Sequence, residues 1–372
     1  MTILEVNSAK TRKEFLDVAR VIYKDDPVWV CPLDQDIETI FDPKKNSFFT
    51  HGKAKRWILK DGQNRLIGRI AAFINDKKAY TFEKPTGGIG FVESFDNAAA
   101  FNLLFDTAKE WLKQQGMEAM TGPINFGEND MFWGLLVDGF THPSYGMNYN
   151  KPYYLQHFKN YGFRVDYEQL TNHLDLHKEF PERFTKIAEW VAKKPGYVFK
   201  YLDPKNFDQF AEDFVEIYND GWKNFTNFSP IKIESVKQSF EKMKAIMDPK
   251  LIWFAYINGE PASFIVMLPD ANLMIKPLNG KLDLIGKLKF LYKKLRGVNR
   301  MRAVVMGTKE KFQKHGLESA MFIKLKEYVL PKNQYDELEL SWVGDFNDKM
   351  LAIHSATGSE FGKKHATLIC DF

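Results

Sequence analysis

Two periodicities alternate along the chain. From Lys10 to Tyr23 and from Asn97 to Gln115, apolar residues recur every three or four positions, which predicts amphipathic helices. Between and beyond them, alternating or continuous apolar runs predict strands. KRWILK and RLIGRIAAFI form a hairpin around Asp61-Gly62-Gln63-Asn64, GIGFVESF is a strand, and another strand ends at Thr121-Gly122-Pro123. An irregular stretch rich in Asn and Gly follows, and NKPYYLQHFKNYGFRV then reads as a helix running into a strand.

The second half repeats this order. Helices are predicted over Phe207 to Asn219 and Val236 to Met247, and LIWFAYINGEPASFIVML is a hairpin turning on Asn258-Gly259, the strongest short-range hairpin signal. Then come the strand RAVVMGT, the helix ESAMFIKLKEYVL, the strand DELELSW, a helix from Asp345 to about Ala356 and a last strand. Helix, hairpin, strand, helix, strand, helix, strand thus occurs twice. The fold class expected is α/β with a mixed sheet, in two tandem domains over residues 1–180 and 197–372. A connecting helix, PERFTKIAEWVAK, stopped by Pro195-Gly196, fills the linker 181–196.

Composition narrows the class. With 32 Phe, 15 Tyr and 8 Trp among 372 residues, the chain carries too much apolar area for a disordered protein. Its two cysteines, Cys31 and Cys370, lie near opposite ends and no secretory signature opens the chain, so a reducing, cytoplasmic setting is expected. No apolar run nears the roughly 18 residues of a membrane span. The formal charge of +4 is unevenly spread: nine Lys or Arg and one Asp lie between Lys276 and Arg302, leaving the rest of the chain net acidic. DNA is therefore not an expected partner. Within that segment Ile285, Leu288, Leu291, Tyr292 and Leu295 keep helical spacing among lysines, predicting a basic amphipathic helix with a solvated face, or one that steers an acidic or phosphorylated ligand; a membrane-surface helix is the less expected reading, because the stripe is narrow and carries no Trp.

Candidate chemistry concentrates in VVMGTKEKFQKHGLESAMFIKLKEYV. A β-branched strand through Met306 ends at Gly307-Thr308, a polar loop follows, and Gly316 precedes a helix opening near Glu318-Ser319. That geometry aims unpaired N–H groups and the positive end of a helix dipole at a phosphate. Here the sequence resembles the GNAT superfamily of acyl-CoA N-acyltransferases, whose loop reads Gln or Arg, two residues, Gly, one residue, Gly or Ala. Gln313-Lys314-His315-Gly316-Leu317-Glu318 matches it at Gln313 and Gly316, with Glu318 in place of the last small residue and Ser319-Ala320 following. Downstream, Asn347 opens the next helix as in that superfamily, and His354 stands seven residues on, where a Tyr is usual.

The first half carries IGRIAAFIN, GFVESFD, GPINFGEND, LLVDGF and YNKPYYLQHFKNYGF, and with these the whole chain resembles a bacterial group of tandem GNAT-like proteins. It lacks a glycine-containing phosphate loop, because GFVESF enters its helix through Asp96-Asn97-Ala98, and Phe158 stands at the Tyr position. The resemblance implies direct transfer of an acetyl or longer acyl group from acyl-CoA, a substrate here, to a small-molecule or peptide amine, by a monomer or homodimer without a metal. It implies a cofactor loop of Met306, Gly307, Thr308, Gln313, Lys314, His315, Gly316, Leu317, Glu318 and Ser319, with Asn347. It assigns proton transfer to His354 and to Glu93, a carboxylate on a central strand. Asn125, Glu128, Asn129 and Asp130, crowded after a strand end, are the expected acceptor-binding residues. The alternatives are a Fem-like transferase using aminoacyl-tRNA, for which the basic segment speaks, and a GNAT-shaped binding protein without turnover. His173, Asp175 and His177 alternate with leucine, which reads as the wet side of an ordinary strand.

Overall fold

In the computed structural model, which describes residues 1–224, 230–332 and 334–372, the two sequence halves share one mixed sheet. In chain order its strands are β1 (Thr2–Glu5), β2 (Gly52–Lys60), β3 (Leu66–Asn75), β4 (Thr86–Ser94), β5 (Ala119–Gly122), β6 (Leu135–Asp138) and β7 (Arg164–Asp175), then β8 (Tyr197–Tyr201), β9 (Ile252–Ile257), β10 (Glu260–Pro269), β11 (Arg300–Thr308), β12 (Glu337–Gly344) and β13 (Glu360–Asp371). The helices are α1 (Ala9–Ile22), α2 (Asp34–Ile40), α3 (Asp76–Ala79), α4 (Ala98–Gln114), α5 (Tyr154–Tyr161), α6 (Glu182–Ala192), α7 (Phe207–Trp222), α8 (Ile233–Met243), α9 (Ala271–Ile275), α10 (Leu284–Arg296), α11 (Leu317–Val329) and α12 (Asp348–Ala356).

Both predicted hairpins form for the expected reason. Asn258 and Gly259 take φ of +51° and +85°, the left-handed pair that a two-residue turn of matching twist needs. In the first half Asp61 accepts from the backbone N–H groups of Gln63 and Arg65, holding the longer β2–β3 turn.

The strand order is β1-β2-β3-β4-β5-β13-β7-β12-β11-β10-β9-β8, with β6 also on β13. The last strand of each half has crossed to the other. β13 lies antiparallel between β5 and β7, and β7 lies antiparallel between β13 and β12. Backbone hydrogen bonds that would close each half on itself instead join the two. The linker helix α6 packs its Phe184, Ala188 and Val191 into the second half's core against α11.

Side chains sort by face at this central seam. Leu174 on β7, Leu338 and Leu340 on β12, and Met301 and Ala303 on β11 point into the apolar core under α6 and α11. The alternate residues are polar: His173 and Thr171, Glu337, Glu339 and Ser341, Arg300 and Arg302, Lys363 and His365. Contacts among them confirm the shared face. Segment 142–150 covers this polar face.

Candidate active site

In each half an inner pair of parallel strands comes apart. β4 and β5 pair only from Thr86–Ala119 to Gly88–Thr121, although β4 continues to Ser94. β11 and β12 pair only from Arg300–Glu337 to Ala303–Leu340, although β11 continues to Thr308. In both, the inner strand also bulges beyond the last pair. Against β3, β4 carries an extra residue near Phe91, which sits at φ +53°. Against β10, β11 carries an extra residue at Val304. A bulge releases backbone groups from the ladder, so each wedge offers polar main chain to whatever enters it.

The first wedge is filled by the protein itself. Ile124 N–H reaches back to Ile89 O at 2.8 Å, and Tyr153 OH donates to Ser94 O at 2.8 Å. Tyr154, from α5, crosses to Glu93 on β4: its OH and that of Tyr23 each lie 2.7 Å from Glu93 Oε2, and Arg69 lies 3.5 Å from Oε1. Burial pushes the Glu93 carboxyl up, while Arg69 and the two tyrosines pull it down. A cavity of about 40 Å³ beside Glu93, Phe91 and Tyr149 has room for no more than a few waters. Asn97 caps α4, accepting from Ala100 N–H, so the helix start here is already satisfied.

A larger cavity, about 160 Å³, lies on the α1 face between Gly88, Thr121, Phe73 and the Asn125–Gly127 loop. Asn125 lines it, and its buried Oδ1 lacks a hydrogen-bond partner. Glu128, Asn129 and Asp130 stand on the exposed surface instead.

Among the described residues, the second wedge is open. Val304 at the bulge is 41% exposed and Ser341 and Trp342 are half-buried. Gly316 caps α11 in the left-handed region at φ +76°, where a Cβ would lie 2.6 Å from Ile187 of α6, so both conformation and space demand glycine. Gly316 supplies no capping side chain, and the first N–H groups of α11 lack one. Glu318 turns back to accept from Thr308 Oγ1 at 2.6 Å, and Thr308 also meets Ser263. Gly307 lies against Trp222, Ser319 and Leu317 are buried in the first turn of α11, and half-buried Met306 packs on the core. Gln313 is reached by Lys349, His315 bonds Tyr197, and Lys314 at φ +68° is exposed. Lys309 and Lys311 are paired to Glu216 and Glu260. Asn347 caps α12 through Met350 N–H.

His354 is buried on α12, with Asn172 Nδ2 3.3 Å from its Nδ1, and burial lowers its pKa to about 4, so it is neutral near pH 7. Glu93 and the loop 311–319 are not brought together. β4 and β11 are five strand spacings apart, about 24 Å at ~4.8 Å each, too far for one proton transfer.

At the seam between the wedges lies a charged cluster that the spacing of the sequence did not point to. Glu339 is 1% exposed and is held by Arg300, by Lys363 at 2.9 Å and by Arg302 at 3.6 Å. Burial opposes its charge, but Lys363, Arg300 and Arg302 keep it far below the usual carboxylate range. Arg302 also donates to Ser341 and to Tyr145 O, at 3.0 and 2.9 Å. Asp270, at the end of β10, accepts from Asn272 and Tyr145 N–H through Oδ1. Its Oδ2, buried, has no hydrogen-bond donor among the described residues, with Arg300 Nη1 3.6 Å away, and burial raises its pKa to about 6, with Arg300 opposing and Glu339 assisting. Buried Arg300 Nε, Glu339 Oε1 and His142 Nε2 lack hydrogen-bond partners as well, a polar pocket built with spare valences. The one signal for it in the chain is the placing of Arg300 and Arg302 two apart on an apolar strand, on the same face as each other. His173 and His177 pair with Glu337 and Asp336, and among the described residues no group of three or more ligands is placed to hold a metal.

No family model matches the chain. It is 30% identical over 374 aligned positions to the protein named bacterial ceramide synthase from Caulobacter vibrioides, covering 98% of this chain and 96% of that one. It is 28% identical over 361 positions to protein YghO of Escherichia coli, covering 95% and 91%. Among solved structures it resembles a tandem GNAT protein from the clavulanic acid biosynthesis pathway, with TM-score 0.59, 14% identity, and 100% and 98% of the two chains covered. It also resembles a GCN5-related N-acetyltransferase from Sphaerobacter thermophilus, with TM-score 0.56, 10% identity, and 99% and 95% covered. These two likenesses establish the tandem GNAT fold. With its duplicated, strand-exchanged wedges and a 30% identical relative matched end to end, the chain belongs to the tandem GNAT-like family that includes the Caulobacter protein named bacterial ceramide synthase.

Proposed function

We propose that the protein transfers an acyl group from acyl-CoA to the primary amine of a long-chain lipid base, giving an amide and free CoA thiol. The observation that carries this reading is the open second wedge, with the exposed Val304 bulge at its apex and the uncapped start of α11 at its mouth. A thioester laid along the wedge has bulge N–H groups for its carbonyl and helix N–H groups for its phosphates. The long-chain amine is suggested by the name of the 30% identical relative.

The acceptor would lie under segment 142–150, beside Arg302 and Ser341. The amine nitrogen attacks the thioester carbonyl, the C–S bond breaks with release of the CoA thiolate, and the amine proton passes to solvent in the open wedge. Glu339 is held ionised by three cations, and Asp270 lies opposite Arg300, roughly 13 Å along β11 from the Val304 bulge, so neither takes that proton directly. The leaving thiolate, with an ordinary thiol pKa of about 8.5, departs without a strong acid, so neutral His354 serves the packing of α12 against Asn172. No covalent enzyme intermediate forms, and Cys31 and Cys370 take no part.

The test is to incubate the protein with a C16 acyl-CoA and a C18 amino alcohol, following thiol release and the mass of the amide. Stoichiometric amide and thiol are expected with wild type, and a loss of both with Gly316→Trp, which blocks the start of α11. Amide that forms only when aminoacyl-tRNA replaces acyl-CoA would overturn the donor assignment.

A further inference from the structure

Helix α10 has an apolar face that none of the described residues covers. Leu295 and Leu284 are 79% and 75% exposed, and Ile285, Leu288, Leu291 and Tyr292 are each at least half exposed. At about 100° per residue these six fall in one stripe roughly 120° wide. Gly286 and Phe290 lie on the opposite side and hold the helix to the protein, Phe290 against the cluster of Val30, Leu33, Ile275 and Leu278. Lys287 and Lys294 flank one border of the stripe, and Lys289, Lys293 and Arg296 the other; all five are exposed. Asp283 caps the helix start, the only acid between Lys276 and Arg302.

We infer that α10 is an in-plane membrane anchor that docks the protein on an anionic bilayer. A leucine ridge between two rows of cations is the arrangement that lies flat at a bilayer surface, apolar side chains among the acyl chains and ammonium groups at the phosphates. Charge complementarity selects the occupant. The insertion carries seven exposed cations, and its exposed aliphatics have no match on a nucleic acid, whose surface is charged and polar. The inference does not rest on the acyl-transfer reading, since docking is measured without turnover.

The experiment is co-sedimentation of the full chain with vesicles of pure phosphatidylcholine and of 70% phosphatidylcholine with 30% phosphatidylglycerol, at 0.1 M and 1 M NaCl. Wild type is expected to bind the anionic vesicles and to release as salt shortens the screening length from about 10 Å to about 3 Å. Two exposed-face variants leave the fold untouched. Leu288→Ser with Leu291→Ser and Leu295→Ser, and Lys287→Glu with Lys293→Glu and Lys294→Glu, are each expected to lower partitioning on the order of 100-fold. Absence of vesicle binding by wild type overturns the inference, as does binding that neither variant changes. Binding of tRNA without binding of vesicles, or a micromolar dimer by light scattering that the leucine variant dissolves, would assign the face to another partner and likewise overturn it.

Discussion

The two halves are built to one plan and end in opposite states. Each has a parallel strand pair that separates beyond a β-bulge, but the first half fills its wedge with Tyr153 and Tyr154 and caps the facing helix with Asn97. Among the described residues the second leaves its wedge open, and it begins the facing helix with Gly316, which has no side chain to satisfy the first N–H groups. The difference is chemical, because backbone geometry alone is present twice. A wedge becomes a donor site when its polar main chain is left without internal partners, and becomes scaffold when tyrosine hydroxyls and a cap satisfy it. The exchange of β7 and β13 ties the two together, so the scaffold half supplies segment 142–150 and β7 to the site of the other.

The comparison can be broken most severely at the exchange. Deleting 360–372 removes β13, uncovers the edges of β5 and β7, and is expected to yield no soluble folded chain, as judged by circular dichroism and gel filtration. Glu339→Gln strikes the seam: it leaves Lys363 and Arg300 buried without their carboxylate, and denaturant unfolding should show a loss of about 3–5 kcal/mol.

Asp270 lies opposite Arg300 and away from the Val304 bulge, so Asp270→Asn should change kcat less than about threefold while the protein stays folded. Because the folded carboxyl has a pKa of about 6, above an ordinary 3.8, its contribution to stability is present at low pH and is lost as pH rises through about 6. The variant should therefore melt at or a few degrees above wild type at pH 8.

In the scaffold half, Tyr154→Phe removes one donor from Glu93 and should cost about 1–3 kcal/mol of stability while changing kcat/KM less than threefold. The smallest effect is expected at Glu318. Its carboxylate stands at the helix start where a phosphate would bind, so Glu318→Gln should tighten acyl-CoA binding about three- to tenfold by calorimetry.

Local rules carried much of this into the sequence. Asn258-Gly259 specifies its turn, and Gly316 before an apolar helix specifies a left-handed cap, because each is decided within a few residues. The leucine periodicity of α10 was legible, but not that its apolar face stays bare, since that depends on what the rest of the chain fails to place there. The strand exchange was hidden because alternation in Glu360–Asp371 says which residues share a face and not which strand lies beside them. Asp270 after an apolar strand reads as a helix cap, which it also is. Its unpaired oxygen depends on segment 142–150, more than a hundred residues earlier. Arg300 and Arg302, counted with the basic segment, face inward to Glu339 and leave seven cations on the surface.

The central claim is that acyl-CoA enters the second wedge and not the first. Hydrogen–deuterium exchange with and without saturating acyl-CoA, read by mass spectrometry, tests it most directly. Slowed exchange in peptides spanning 304–319 and 341–349, with 89–98 unchanged, is the predicted result. Protection confined to 89–98 and 150–160 would contradict the account and give the donor site to the first half.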